Sequence, residues 1–129
     1  MKRSTNEWVQ KAEGDFRSAS KLAADPSPEW DHAAFFAQQC AEKYLKAVLN
    51  EADRGFPKTH DLVVLVALLD PPSAELAAMR VRLEMMTQLG VAVRYPGFFS
   101  DAARTREALD SGARVRRICR GLLGLPYED

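Results

Sequence analysis

The sequence is poor in residues that mark several protein classes. It has two cysteines, two histidines and seven scattered glycines among 129 residues. Cys40 and Cys119 form no C-x-x-C pair and fall at apolar positions, which is typical of reduced core cysteines. The sequence contains neither a glycine-rich phosphate loop nor the G-x-S-x-G and H-E-x-x-H motifs. We therefore expect no metal site and no bound cofactor.

Long apolar runs and net charge are also absent. No run approaches the roughly 18 apolar residues of a membrane span. The charged N-terminus is not followed by an apolar block, so it does not resemble a secretory signal. These observations predict a cytoplasmic protein without a membrane partner. The formal net charge of +0 argues against a dedicated non-specific nucleic-acid binder.

The charges are nevertheless distributed unevenly along the chain. All six lysines precede His60, whereas nine of the twelve arginines follow it. Residues 101–125 contain six arginines and three acids. This stretch is either a solvated helix face or a surface that faces an anion such as RNA, a nucleotide phosphate or an acidic partner.

What the sequence does contain is helical periodicity. Five segments show apolar residues at helical spacing, at about 5–23, 29–52, 60–69, 73–89 and 100–123. Period-two alternation typical of strands is missing. Residues 1–129 therefore predict a single all-α domain, with its core at about 5–123. The short connections favour an up-and-down bundle of four to five helices.

The second segment is apolar around most of its circumference. The exception is a narrow polar wedge at i, i+3, i+4 and i+7, formed by Gln39, Glu42, Lys43 and Lys46. A helix that is apolar on most sides is normally buried on most sides. The wedge is therefore expected to face a pocket, a second subunit or the polar groups of a partner. The alternative is a buried ion-pair network.

Two loop regions add candidate anion-binding residues. His60 lies beside Lys58 at the predicted start of the third helix, where free backbone N–H groups attract anions and an imidazole can carry a proton. The alternative is a local cap in which His60 bonds a nearby carbonyl. Arg94 and Tyr95 lie in a turn after the fourth segment and offer a planar guanidinium and a stacking face. In the alternative, Tyr95 packs on the bundle end while Arg94 pairs with Glu42 or another acid.

Four short motifs in order resemble the HEPN family, the higher eukaryotes and prokaryotes nucleotide-binding domain. They span residues 7 to 122, and comprise Trp8 with Lys11, Glu13 and Asp15, then residues 36–47 (FAQQCAEKYLKA), 57–62 (PKTHDL) and 94–97 (RYPG). The resemblance implies a bundle of four to five helices that forms a homodimer with a cleft near the interface. It also implies a partner of the minimal nucleotidyltransferase type, as in a toxin–antitoxin pair.

Some HEPN proteins are metal-independent ribonucleases that use Arg, a spacer of four to six residues and His. Here Arg94 is followed by Tyr-Pro-Gly-Phe-Phe-Ser-Asp, without a histidine at that distance. Arg54 and His60 have the spacing, but they lie in the connection between the second and third segments. The leading hypothesis is a homodimeric module that binds a nucleotide or RNA phosphate through the wedge residues, Lys58, His60, Arg94 and Tyr95. The alternatives are an endoribonuclease toxin with His60 and Arg94 as catalytic candidates, and a structural dimerisation module without a ligand.

Overall fold

A computed structural model describes residues 1–127, so the last two residues of the predicted domain lie outside the described part. Within the described residues, six helices follow one another: α1 (Arg3–Ala24), α2 (Trp30–Glu51), α3 (Leu62–Ala67), α4 (Ala74–Ala77), α5 (Arg80–Ala92) and α6 (Ala102–Leu122). Residues 1–127 contain no strand. The predicted all-α bundle is confirmed. Within the same residues, no helix combines the length and apolar character needed to cross a membrane.

Helix α2 is the central element of the bundle. It packs most extensively against α1 and next against α6, with smaller contacts to α3 and α5. Tyr44, Leu45 and Leu49 are fully buried, as its nearly continuous apolar circumference predicts. Both cysteines are free and buried in this core. Burial raises the pKa of each thiol well above its ordinary value, so both stay protonated at neutral pH.

Close approach of α6 to α2 depends on a glycine. A Cβ atom built on Gly112 would lie 3.1 Å from the backbone oxygen of Ala37. Even alanine at this position would require the two backbones to shift by a few tenths of an ångström. Because α1 and α6 cover most of α2, helices α3 and α5 and their polar side chains pack on its remaining side.

One predicted helix is wrong in its extent. The segment predicted as continuous over about 73–89 is divided into α4 and α5. At the junction, the amide of Met79 bonds the carbonyl of Leu76 at 3.0 Å, an i→i−3 bond that tightens the turn. This turn lets both Leu76 and Met79 enter the core.

The third helix also begins later than predicted. It starts at Leu62 with Asp61 as N-cap, and the Asp61 carboxylate accepts from the amides of Val63 and Val64. His60 therefore precedes the helix, and the amides expected to attract an anion are already bonded. This short capped turn leaves His60 in an extended connection that runs along α2.

Candidate functional site

The polar wedge of α2 is built around a buried carboxylate. Glu42 is 4% exposed and accepts bonds from Lys46 Nζ at 3.1 Å and Gln38 Nε2 at 3.2 Å. The ring Nδ1 of His60 lies 2.8 Å from Glu42 Oε1. We call this group, comprising Gln38, Gln39, Glu42, Lys46 and His60, the Glu42 cluster. It joins a central helix to the connection that precedes α3.

The charge state of Glu42 follows from these partners. Burial alone would raise the pKa of its carboxyl, but the hydrogen bonds from His60, Lys46 and Gln38 outweigh burial and lower that pKa. Glu42 is therefore ionised at neutral pH and only accepts hydrogen bonds. Consequently the Nδ1 of His60 carries a proton and donates it to Glu42, while Nε2 is left for another partner.

His60 differs from the other members of the cluster in its exposure. Its side chain is 61% exposed, whereas that of Glu42 is 5% exposed. Its backbone carbonyl accepts from Gln38 Nε2 at 3.1 Å, so both ends of the residue are fixed to α2. The imidazole is thus held by a buried acid while its far edge faces solvent.

Lys46 occupies a closed position behind Glu42. It is 8% exposed, and its ammonium lies 5.8 Å from the ring centroid of Trp8 and 5.7 Å from that of Phe56. Aromatic faces attract a cation at these distances. The same ammonium donates to Glu42, so Lys46 contacts protein groups and stabilises the cluster.

Lys43 is directed away from the Glu42 cluster and toward α1. Its ammonium bonds Asp15 of α1 at 2.6 Å. Beside this pair, Glu13 of α1 receives two bonds from Arg116, at 2.7 and 2.9 Å, and one from the hydroxyl of Tyr44. Arg120 donates to the same hydroxyl at 3.1 Å. We call the group of Glu13, Tyr44, Arg116 and Arg120 the Glu13 cluster.

The Glu13 cluster explains part of the arginine-rich C-terminal stretch. Burial raises the pKa of Glu13, but the bonds from Arg116 and Tyr44 and the nearby charge of Arg120 lower it further than burial raises it. The side chains of Arg116 and Arg120 are only 15% and 14% exposed. These two arginines therefore form neither the solvated face nor the anion-facing surface that the sequence suggested.

Arg94 and Tyr95 lie on the turn after α5. The guanidinium of Arg94 is 5.5 Å from the ring centroid of Phe35 on α2, and Tyr95 is 61% exposed. The alternative pairing of Arg94 with Glu42 is not observed, because Glu42 is bonded by Lys46 of its own helix and by His60. The high exposure of Tyr95 likewise disagrees with the alternative in which it packs on the bundle end.

Phe35, Gln38, Gln39, Glu42 and Lys46 are spaced at i, i+3, i+4, i+7 and i+11, so they share one face of α2. Arg94 sits over the first of these residues and His60 over the fourth. Seven residues of helix separate the two contacts by roughly 10 Å along the axis. Arg94 and His60 therefore lie along one side of α2, which we call the Arg94–His60 face.

The structure thus brings together some predicted site residues and separates others. Gln39, Glu42, Lys46 and His60 meet, and Gln39 donates to Gln38 at 2.8 Å. Lys58 is exposed near His60 in the chain. Lys43 lies with α1. The binding roles of all these residues stay a prediction.

Two other observations bear on the sequence analysis. Arg54, which has the ribonuclease-like spacing to His60, bonds the carbonyl of Leu68 at 3.2 Å and pairs with Asp70 at 3.5 Å. It is therefore engaged at the far end of α3. Gln38, which the sequence analysis missed, is 3% exposed and joins Glu42 to the His60 carbonyl. Its position four residues before Glu42 was the available signal.

Comparison with known proteins places this architecture in a family. The sequence profile of the HEPN domain matches residues 5–122. The chain belongs to the HEPN family. A comparison with curated proteins finds no match.

Two solved structures share the HEPN fold with this chain. The protein TT1696 from Thermus thermophilus has a TM-score of 0.81 and 20% sequence identity, over 94% of this chain and 99% of that one. ST0689, described as an archaeal HEPN homologue, has a TM-score of 0.69 and 22% identity, over 94% of this chain and 98% of that one. At these identities the likeness concerns the fold.

Proposed function

We propose that this HEPN domain binds the phosphate of a nucleotide or RNA on the Arg94–His60 face of α2. The observation that carries the proposal is the exposed imidazole of His60, held through Nδ1 by the buried Glu42. Because the ring is already fixed with Nε2 pointing outward, ligand binding costs little further side-chain entropy. A protonated Nε2 donates a hydrogen bond to a phosphate oxygen, and an unprotonated Nε2 accepts one from a ribose hydroxyl.

Arg94 supplies the second anchor in this proposal. The guanidinium carbon of Arg94 lies 5.5 Å from the ring centroid of Phe35, a contact that restrains the group, while the residue itself is exposed. A guanidinium carries five N–H donors in a fixed fork that matches phosphate oxygens. Tyr95, exposed beside it, offers a ring on which a base can stack.

The other wedge residues receive different roles in the proposal. Lys43 and Lys46 are each engaged by a carboxylate, at 2.6 Å and 3.1 Å. We therefore assign Glu42 and Lys46 to positioning His60, and Lys43 to holding α1 on α2. We assign the exposed Lys58, two residues before His60, and Gln39, which bonds Gln38, to the edge of the site.

The proposal is tested by binding of a fluorescent single-stranded oligoribonucleotide and of a nucleoside monophosphate. We expect Arg94→Gln to weaken binding about tenfold, since a hydrogen bond to a charged group contributes about 1.5–3 kcal/mol. The matched control is Arg106→Gln, because Arg106 is also exposed and its guanidinium also lies near an α2 ring, 5.4 Å from the centroid of Trp30. Equal affinities for the two variants and the wild type would refute the proposal.

A second candidate function, metal-independent cleavage of RNA, is favoured by the pairing of Glu42 with His60. A carboxylate that orients an imidazole through Nδ1 leaves Nε2 to act as a general base or acid. In this chemistry Nε2 takes the proton of the ribose 2′-hydroxyl, and the 2′-oxygen attacks the phosphorus to form a 2′,3′-cyclic phosphate. The bond from phosphorus to the 5′-oxygen breaks, and the 5′-oxygen takes a proton from water. Arg94 would then neutralise charge on the phosphoryl oxygens.

Cleavage is tested by incubating the protein with an oligoribonucleotide in EDTA. If His60 acts as general base, we expect His60→Gln to remove cleavage and a substrate with a single 2′-deoxy position to resist it. The deoxy substrate separates the two functions, because it can still bind. Binding without cleavage of either substrate would retain the phosphate-binding function and exclude the nuclease.

The proposal extends to assembly through the family resemblance. We propose a homodimer that works with a partner of the minimal nucleotidyltransferase type, as in a toxin–antitoxin pair. Light scattering at several concentrations tests the dimer, and co-purification with such a partner encoded nearby tests the pairing. If Glu42→Ala weakens a dimer while no nucleotide or RNA binds, the protein is instead a structural dimerisation module.

A further inference from the structure

The turn between α5 and α6 carries two exposed aromatic rings. Tyr95 is 61% exposed, and Phe99 is 81% exposed, the highest value among the large hydrophobic side chains of residues 1–127. Burial of a phenyl ring is favourable, and the fold leaves this gain unused at Phe99. The ring is therefore available to a ligand that can cover it.

The backbone that carries Phe99 is fixed to α2 through the next residue, Ser100. The amide of Ser100 donates to the Asp31 carboxylate at 2.6 Å. Its hydroxyl lies 2.8 Å from that of Thr105, which in turn donates to the carbonyl of Trp30 at 3.2 Å. Because folding already orders this backbone, a ligand that stacks on Phe99 need not immobilise the turn.

This anchor lies on the same stripe of α2 as the Arg94–His60 face. The stripe has residues at i, i+4, i+7 and i+11, namely Asp31, Phe35, Gln38 and Glu42. Ser100 contacts the first of these residues, Arg94 the second and His60 the last. Eleven residues of helix span about 16 Å along the axis. The three contacts therefore follow one line along α2.

The length of this line indicates an extended ligand. The base of a nucleotide lies close to its own phosphate, so a lone nucleotide held at His60 and Arg94 leaves Phe99 uncovered. A strand of several nucleotides along α2 also places a further base at Phe99. Aromatic rings beside phosphate contacts are typical of surfaces that bind single strands, because every base has a face that stacks.

Stacking, and not charge, has to supply the affinity at Phe99. Asp101 pairs with Arg104 at 2.7 Å, and the nearby Asp31 adds a second acid. The surroundings of Phe99 therefore have no excess of positive charge. Arg94 differs, because it forms no salt bridge with any acid among residues 1–127 and keeps its donors for a phosphate.

We propose that the Arg94–His60 face binds a single-stranded RNA segment of several nucleotides, with one base stacked on Phe99. The inference rests on the phosphate-binding function proposed above, which supplies the contacts at His60 and Arg94. Tyr95 takes the base nearest Arg94, and Phe99 takes the base nearest the N-terminus of α2. The strand runs along α2 from the connection before α3 to the turn before α6.

The test compares the affinities of adenosine monophosphate and of hexaadenylate RNA at fixed salt. We expect the wild type to bind the hexanucleotide more tightly, and Phe99→Ala to weaken that binding about tenfold, as loss of one stacked base does. Binding of the monophosphate should not change. Phe99→Trp should retain the hexanucleotide affinity, because its ring still stacks. The control Tyr127→Ala removes an exposed ring beyond the other end of α6 and should change neither affinity.

Salt dependence separates stacking from charge. Each phosphate contact on a single strand contributes about 0.7 to the slope of log affinity against log salt concentration. Arg94→Gln should reduce this slope for the hexanucleotide, whereas Phe99→Ala should leave it unchanged. An equal reduction in both variants would show that Phe99 acts through phosphate contacts and would overturn the stacking assignment.

The outcomes distinguish this inference from the function on which it rests. If the wild type and Phe99→Ala bind the hexanucleotide equally, the stacked base is refuted while phosphate binding stands. If the wild type binds neither ligand, both proposals fail. If Phe99→Ala changes the oligomeric state in light scattering but not the RNA affinity, Phe99 belongs to a contact between copies of the chain and the inference is overturned.

Discussion

Two carboxylates lie on opposite sides of helix α2, and their hydrogen-bond partners differ in exposure. Glu42 is a buried residue of α2 itself, whereas Glu13 is a partly buried residue of α1. Glu13 accepts hydrogen bonds from Arg116 and Tyr44 and forms an ion pair with Arg120 at 3.6 Å, and the side chains of these partners are mostly enclosed. Glu42 is bonded by a buried lysine and glutamine, but its third partner, His60, is 61% exposed. Both acids are ionised because their partners outweigh the cost of burial.

The exposure of the partners distinguishes a carboxylate that stabilises the fold from one that can serve ligand binding. An acid whose partners are all enclosed holds helices together and has no group left for a ligand. An acid that is hydrogen-bonded to an exposed imidazole holds that imidazole in a fixed orientation toward solvent. The comparison therefore assigns the Glu13 cluster to stability and the Glu42 cluster to binding. Substitutions in the two clusters should have opposite consequences.

The largest effect is expected from Glu13→Gln. An amide in place of the carboxylate leaves two guanidinia facing a neutral group, and we expect a loss of about 2 kcal/mol in the free energy of unfolding. Urea denaturation measures this loss, with Glu107→Gln as the exposed control within about 0.5 kcal/mol. RNA binding should remain. Loss of binding without loss of stability in the Glu13 variant would reverse the assignment of the clusters.

A smaller effect is expected from Gly90→Ala. The new Cβ would lie 2.9 Å from Cγ of Gln38, so Gln38 must shift and its bonds within the Glu42 cluster weaken. Overpacking of this kind costs about 1–3 kcal/mol, partly offset by the roughly 1 kcal/mol that alanine gains over glycine in a helix. We expect a net loss of about 1 kcal/mol by thermal unfolding, together with weaker RNA binding.

The control for that substitution is Gly14→Ala in α1. A Cβ there meets only Arg17 Nη2, at 3.9 Å, so the helix preference acts alone. Stability should rise by about 0.5–1 kcal/mol. Equal stability changes for both glycines would show that Gln38 is free to move and does not fix the cluster.

Tyr44→Phe tests the closed cluster by removing a single hydroxyl. The ring stays buried, but the bonds to Glu13 and Arg120 are lost. Glu13 keeps both bonds from Arg116, so we expect a loss of about 1 kcal/mol in chemical denaturation. An unchanged stability would mean that the arginines alone satisfy the acid.

The pH dependence of stability gives the smallest of the expected effects near neutral pH, because the loss of stability appears only in acid. Both Glu13 and Glu42 have a folded-state pKa below the ordinary value of 4.5. The unfolded chain therefore takes up protons first as the pH falls, so the stabilisation is complete above about 4.5 and is lost below it. Unfolding curves between pH 6 and 3 should show this decline, and Glu13→Gln should flatten it. A parallel decline in the variant would exclude Glu13 as a cause.

The sequence predicted the helices better than the contacts between them. Apolar periodicity located α2 and the other long helices because burial of one face is a local property of the chain. The break between α4 and α5 was missed, since a single i→i−3 bond at Met79 leaves no mark on the apolar pattern. The four-residue spacing of Gln38 and Glu42 was visible, but its role emerges only when α5 covers Gln38.

The site residues show the same limit. The polar wedge was found, yet the sequence does not specify that Lys43 turns to Asp15 while Glu42 turns to His60. These choices depend on the rotation of α2 against α1 and on the path of the connection before α3, both of which are tertiary properties. The exposure of His60 likewise follows from Asp61, not His60, being the N-cap of α3.

The central claim is that His60, held by Glu42, contacts the phosphate of a bound nucleotide or RNA. The most direct measurement compares the affinity of His60→Gln and His32→Gln for a single-stranded oligoribonucleotide at fixed salt. His32 is also exposed and also lies near an acid, 3.8 Å from Glu29. We predict about tenfold weaker binding for His60→Gln and no change for His32→Gln. Equal affinities for both variants and the wild type would contradict the claim.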